Sequence, residues 1–214
     1  MSQGEETTPG AIGFGKNRIE ALSDGVYAIA MTLLVLSLEE PGNGVHPFTV
    51  TFSDFASLLF PDLLTYVIAF LILSGFWVGN HIFFHSLQRI DQTLLWTTIF
   101  QLFFITLVPF STNFSGDYPE QVVASTVFSL NLFAISLLYF FSWCHAQKKY
   151  EVLDHRPDRG TMKMGITMSK ATVVVSIIVV ALAIAGVPWC LTIFAMVPFI
   201  YLVLKKGWGE RFIR

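Results

Sequence analysis

Arg18, Glu20, Ser23 and Asp24 fall within one seven-residue stretch, and the chain that follows, Val26 to Leu38, is apolar apart from Tyr27, Thr32 and Ser37. An ionisable group carried into an apolar helix is costly and marks a function by default: an ion path, a proton relay or a polar clasp between helices. A second group sits further on as Trp77, Asn80, His81 and His85. His81 and His85 are four residues apart, on one helical face, which is also a metal-ligand spacing. The other histidines, His46, His145 and His155, do not repeat it, so no metal site is expected. Cys144 and Cys190 both lie in apolar runs and read as small core residues rather than a disulfide or metal framework. No nucleophile–base pair and no phosphate-cradling glycine loop is found, which argues against an enzyme or a bound cofactor.

The elements that must position these residues are long and apolar. Of 214 residues, 54% are hydrophobic and only 13% charged, about half the charge of an average soluble domain. Disorder and a basic nucleic-acid-binding face are both excluded. A membrane-crossing helix needs about 20 mostly apolar residues, and six runs qualify: 20–38, 61–84, 94–109 with its flanks, 122–144, 166–185 and 189–204. An amphipathic stretch, 51–60, precedes the second. Turn chemistry separates the runs at Pro41-Gly42-Asn43-Gly44, at Ser115 to Pro119 and at Gly186-Val187-Pro188. Runs of this length do not fit the alternating ten-residue strands of a membrane barrel. The expected fold class is therefore an all-α membrane protein of six transmembrane helices, residues 18–206, between tails at 1–17 and 207–214. The first run is preceded by Glu5 and Glu6 and lacks the basic lead of a signal peptide.

The 13 Lys and Arg residues set the orientation. Lys16 and Arg18 precede the first helix, and Arg89 lies between the second and third. Lys148, Lys149, Arg156, Arg159, Lys163 and Lys170 lie around the fourth-to-fifth connection, and Lys205, Lys206, Arg211 and Arg214 follow the sixth helix. The remaining connections carry Glu39, Glu40, Asp117 and Glu120 and no Lys or Arg. With six spans this is a positive-inside pattern without exception, and it places both termini in the cytoplasm.

That orientation puts the start of the first helix and the end of the second at one depth. Arg18, Ser23, Asp24, Trp77 and His81 are then expected to form a structural polar cluster that locks the two helices together; solvated interfacial charges are the plainer reading. Past Gly25, the positions Ile29, Leu33 and Leu36 form one helical stripe with Thr32 at its margin, as an ordinary packing stripe would.

At these residues the chain resembles the transmembrane protein 175 type potassium channels of endosomes and lysosomes and their bacterial homologues. The family opens its first helix with Arg, three residues, then Phe-Ser-Asp; here Arg18, Leu22, Ser23 and Asp24 stand in that order, with Leu22 in place of Phe, and Thr32 to Leu36 continue the motif. Trp77 and His81 match the second helix, and Leu107-Val108-Pro109-Phe110 matches the end of the third. Thr97-Thr98 stands where many relatives carry an Asn. The resemblance implies a potassium-permeable, leak-type channel without the carbonyl filter loop of ordinary potassium channels, and the chain indeed has no Thr-Val-Gly-Tyr-Gly segment. It also implies a homotetramer of single-repeat chains in a bacterial inner membrane, with the first helix lining the pore. Ile29 and Leu36 would then be constriction residues, Leu33 would lie between them, and Thr32 would be the selectivity residue.

One helix cannot surround a pore, so each of four subunits would donate one. Rings of Ile29, Leu33 and Leu36 would then gate by dewetting, because an ion cannot cross a narrow apolar neck without its hydration. Glu39, Glu40 and Asp117 are either outer-mouth charges that concentrate cations or solvated loop residues. The partners expected are a second copy of the chain, potassium ions and lipid, with no nucleic acid. The competing reading is a proton-coupled secondary transporter relaying through Asp24 and His81. Against it stand the missing internal repeat and the unbroken first helix beyond Gly25.

Overall fold

The computed structural model describes residues 15–38, 52–118, 121–149, 159–187 and 190–195. All elements found among them are helical. Helix α1 covers Lys16–Leu33 and closes in a 3-10 turn, Leu34–Ser37. Helices α2 (Phe52–His85), α3 (Gln92–Thr106), α4 (Val108–Asp117), α5 (Val122–Lys148) and α6 (Arg159–Ile184) follow, and a 3-10 segment spans Cys190–Ala195. This is the physical consequence of so little polar sequence: away from water, a backbone must satisfy its own N–H and C=O groups within the helix.

Five stretches are long and apolar enough to cross a membrane: Lys16–Ser37, Leu63–His85, Gln92–Asp117, Val122–Lys148 and Met162–Ile184. They correspond to the first five expected spans. The sixth, 189–204, lies mostly outside the described residues, as do Glu39, Glu40 and the 207–214 tail. Lys16 and Asn17, expected in the N-terminal tail, already belong to α1.

Three boundaries differ from the sequence expectation. The stretch before the second span and the span itself are one helix of 34 residues. At 1.5 Å per residue it is about 51 Å long, well beyond a hydrocarbon core of about 30 Å, so it emerges from the membrane as a helix rather than after a turn. The third span is two helices in series. Pro109 has no N–H to return to Ile105, and Leu107 N–H turns instead to Phe104 O at 3.2 Å. The connection between the fourth and fifth spans shrinks because α5 continues to Lys148 and α6 starts at Arg159, which places Lys148 and Arg159 on helix ends.

Two apolar cores hold the bundle. One gathers Tyr27, Ala30 and Leu34 from the first span with Leu73, Leu102, Ile105, Leu132 and Val179. The other joins Phe83, Phe84, Leu94, Tyr139 and Trp143 nearer the end where α2 meets α3. Helices α5 and α6 bury Ser129, Ser136, Ser169 and Ser176. Their hydroxyls return to their own helix, as in Ser136 Oγ donating to Leu132 O and Ser176 Oγ to Val173 O, both at 2.8 Å. Spent in this way, a serine presents a small surface that lets two helices approach closely.

Two glycines permit the tightest aromatic contacts. A Cβ at Gly79 would lie 2.6 Å from the Tyr139 hydroxyl, and one at Gly165 would lie 2.5 Å from the Trp143 ring. Trp143 cannot retreat, being buried edge-on against Phe83 with ring centroids 5.1 Å apart. Gly165→Ala should therefore destabilise the protein by about 1–3 kcal/mol, the usual cost of overpacking a core. Gly116→Ala, where a Cβ meets nothing within 4 Å, should leave the melting temperature in detergent unchanged. Equal melting of both variants would remove the Gly165 contact as a packing determinant.

Candidate functional site

The site is the setting of α1 against its neighbours. The Trp77 indole N–H donates to Asp24 Oδ1 at 2.9 Å. Trp77 also stacks on His81, with ring centroids 6.2 Å apart and planes at 27°. His81 in turn places Nδ1 3.7 Å from Glu20 Oε1. Deeper along α1, Gln101 Nε2 reaches the Tyr27 hydroxyl at 3.5 Å, both side chains buried, and Ser74 Oγ donates to Met31 Sδ at 3.6 Å.

Of the five residues expected in a polar cluster, Asp24, Trp77 and His81 come together. Ser23 is fully buried beside them, but its hydroxyl donates to Ile19 O of its own helix at 2.9 Å. Arg18 is exposed and, among the described residues, pairs with no carboxylate. Glu20 is the residue that supplies the charged contact to His81, because it lies one helical turn before Asp24 on the side facing α2. Nor is the group buried: Asp24 and His81 are exposed and Trp77 is 37% exposed.

With Ser23, Tyr27, Ala30 and Leu34 turned into the subunit, the opposite side of the same span must face away. It carries Leu22, Ile29, Leu33 and Leu36, with Ile29 60% and Leu36 74% exposed. Thr32 shares that side and donates its hydroxyl proton to Ile29 O at 2.9 Å. Both lone pairs of its oxygen are then left to accept from outside the subunit. Asp117 accepts from Asn113 Nδ2 at 3.2 Å.

Sequence reasoning missed a second constellation. Asp91 caps α3, its Oδ1 accepting from Leu94 N–H at 2.9 Å, while its Oδ2 accepts from His145 Nε2 at 2.8 Å and Lys149 Nζ at 3.0 Å. The tie runs from the start of α3 to the end of α5. Lys16 Nζ donates to Leu87 O at 2.7 Å and ties the start of α1 to the same end. The available signal was an Asp directly before an apolar helical run, the mark of an N-cap. Likewise, Gln101 stood out as an amide inside a span. Partial burial pushes the Asp91 carboxyl up, but the hydrogen bonds from His145, Leu94 and Lys149 outweigh it and hold it below its ordinary 3.8. Among the described residues no three His, Cys, Asp or Glu side chains converge as a metal site would require.

The helices that meet here also carry the likeness to known proteins. A protein of Chamaesiphon minutus named as a potassium channel is 33% identical over 145 residues, covering 66% of this chain and 71% of its own. Residues 18–109, from Arg18 through α3 to Pro109, match the family model described as endosomal/lysosomal potassium channel TMEM175. The chain belongs to the TMEM175 family. That family is one of ion channels rather than enzymes, and this member is a multi-pass membrane protein. The crystal structure of a lysosomal potassium-selective channel TMEM175 homologue from Chamaesiphon minutus superimposes with a TM-score of 0.72 at 28% identity, covering 90% of this chain and 98% of that one. A TMEM175 relative from Gallus gallus, named an endosomal/lysosomal proton channel, is 28% identical over 140 residues, which is 61% of this chain and 28% of that protein.

The Asp91 clasp predicts a pH-dependent stability. A carboxyl depressed by folding stabilises above its unfolded pKa, and that stabilisation is lost as pH falls below 3.8 and through the folded value. Asp91→Asn keeps the cap but removes the charge, and should flatten the acid limb of the melting-temperature profile. Asp91→Ala should cost about 1 kcal/mol more at neutral pH through loss of the cap. An acid limb unchanged in Asp91→Asn would show that the clasp contributes nothing to it.

Proposed function

We propose that this protein is a potassium-permeable, leak-type cation channel in which four copies surround an axis and each presents the outward side of α1 to it. The observation that carries the reading is the division of the first span. Tyr27, Ala30 and Leu34 are buried in the subunit, while Ile29, Leu33 and Leu36 point out of it together. Four such faces form stacked apolar rings, and a neck of that kind closes to ions by dewetting. Thr32 supplies the hydroxyl oxygens between the rings that contact the ion, and selectivity rests on that layer. Potassium is the permeant species and no cofactor takes part.

Asp24, Trp77, His81 and Glu20 serve as the clasp that sets the rotation of α1, with Ser23 buried on the inward side of that helix and Arg18 at the rim. The basic helix ends, with Lys16, Arg18, Lys148 and Lys149, face the cytoplasm on the positive-inside rule, and both termini lie there. The membrane is a bacterial inner membrane, by analogy with the Chamaesiphon relative. A proton path through the same neck is the second reading, and the name of the vertebrate relative favours it.

Current across planar bilayers, with potassium on one side and sodium on the other, tests both. Ile29→Asn should pass a several-fold larger current than wild type, because an amide ring rewets the neck, with the reversal potential on the potassium side of zero. Thr32→Ala should move that potential toward zero. A reversal potential that follows an imposed pH difference would add protons to the permeant ions. Silent bilayers for wild type and Ile29→Asn, together with proton-driven uptake into liposomes, would overturn the channel in favour of coupled transport through Asp24 and His81.

A further inference from the structure

A groove of about 610 Å³ runs between α3 and α5 on the side of α3 turned away from the core. Its walls include Trp96 and Phe100 from α3 and Leu137, Phe141 and Cys144 from α5, with Thr93 at one end. Trp96, Phe100, Leu137 and Phe141 are each about half exposed within the subunit. From Thr93 to Phe100 the groove follows α3 for about 10 Å, two-thirds of the roughly 15 Å of hydrocarbon in one leaflet. Its lining is almost wholly apolar, with Thr93 and Thr97 toward the end nearest the start of α3.

That end carries a positive charge. Leu137, Phe141, Cys144 and Lys148 repeat at helical spacing, so Lys148 stands on the groove-lining stripe of α5, one turn beyond Cys144. Lys148 is exposed and, among the described residues, pairs with no carboxylate. The nearby carboxylate, Asp91, is already engaged by His145 and Lys149. Trp96, one turn into α3, lies where indoles favour the membrane–water interface.

We propose that this groove binds one acyl chain of an anionic phospholipid, with the chain against Trp96, Phe100 and Phe141 and the phosphate on Lys148. The charge complementarity selects the ligand: an apolar slot two-thirds of a leaflet deep, ending at an unpaired ammonium, suits a lipid tail with an anionic head. The site depends on the protein being a membrane protein and not on what it conducts.

Tryptophan quenching in vesicles tests the proposal, with the Trp96 signal taken as wild type minus Trp96→Phe. The full chain is reconstituted in phosphatidylcholine containing either brominated phosphatidylglycerol or brominated phosphatidylcholine. Trp96 quenching should reach half-maximum at a several-fold lower mole fraction of the brominated anionic lipid. Lys148→Gln, at an exposed position, should abolish that preference while keeping quenching by both lipids. Equal quenching by both lipids in wild type would reduce the groove to ordinary lipid contact and overturn the proposal. Absence of quenching by either would also overturn it, because the groove would then be covered by a second copy of the chain. Trp96→Tyr serves as the subtraction if Trp96→Phe fails to fold.

Discussion

The hydrogen bond from Trp77 to Asp24, 2.9 Å long, sets which side of α1 faces its own chain and which does not. A helix advances 100° per residue, so turning α1 by a single position would present Ala30 where Ile29 now stands. An apolar helix among apolar helices has little to prevent such slippage, since lipid and protein interior are about equally favourable for Leu and Ile. A carboxylate is different. Its hydrogen bond is directional, and only one rotation of α1 brings Asp24 to the Trp77 indole. The buried Gln101–Tyr27 contact repeats the restriction one turn deeper, so that two polar contacts at different heights hold the rotation.

The remaining specific polar ties concentrate at the end where α1, α3 and α5 meet. Asp91 joins the start of α3 to the end of α5, and Lys16 joins the start of α1 to Leu87, two residues past α2. Between those ends the helices are held mostly by shape, with Asn131 Nδ2 donating to Ser111 Oγ at 3.2 Å as a buried tie between α5 and α4. Small hydroxyl residues bring α5 and α6 together, and Gly79 and Gly165 make room for Tyr139 and Trp143. The protein thus has a chemically specified end and a middle specified by packing. An outward stripe of Ile29, Leu33 and Leu36 is what a fixed rotation leaves unused by its own subunit.

Much of this was legible before any coordinate. The five spans described follow from apolar run length, because the cost of exposing a backbone to lipid leaves a helix as the only economical form for such runs. The stripe of Ile29, Leu33 and Leu36 follows from helical period alone, and the pairing in depth of Asp24 with Trp77 from the orientation that the Lys and Arg residues set. What period cannot give is azimuth between helices. Arg18 and Glu20 both lie near Asp24 in sequence, and the choice of Glu20 as the neighbour of His81 depends on which side of α1 faces α2. The continuous 34-residue α2 was hidden for a different reason: a Pro and a change of polarity read as a boundary, and only the path of the backbone overrides them.

The sequence by itself determined that the chain is a set of membrane-crossing helices with its Lys and Arg residues gathered at one end, since both follow from transfer energies that each residue carries wherever it goes. It determined too that a few polar groups in α1 and α2 needed partners. Tertiary structure alone decided who those partners are, that Asp91 unites two helix ends, and that Ile29, Leu33 and Leu36 lie outside the core although their neighbours Ala30 and Leu34 lie within it. The physical reason is that hydrophobicity has magnitude without direction. It drives Ile29 and Ala30 out of water alike, and only directional contacts such as Trp77 to Asp24 choose between them.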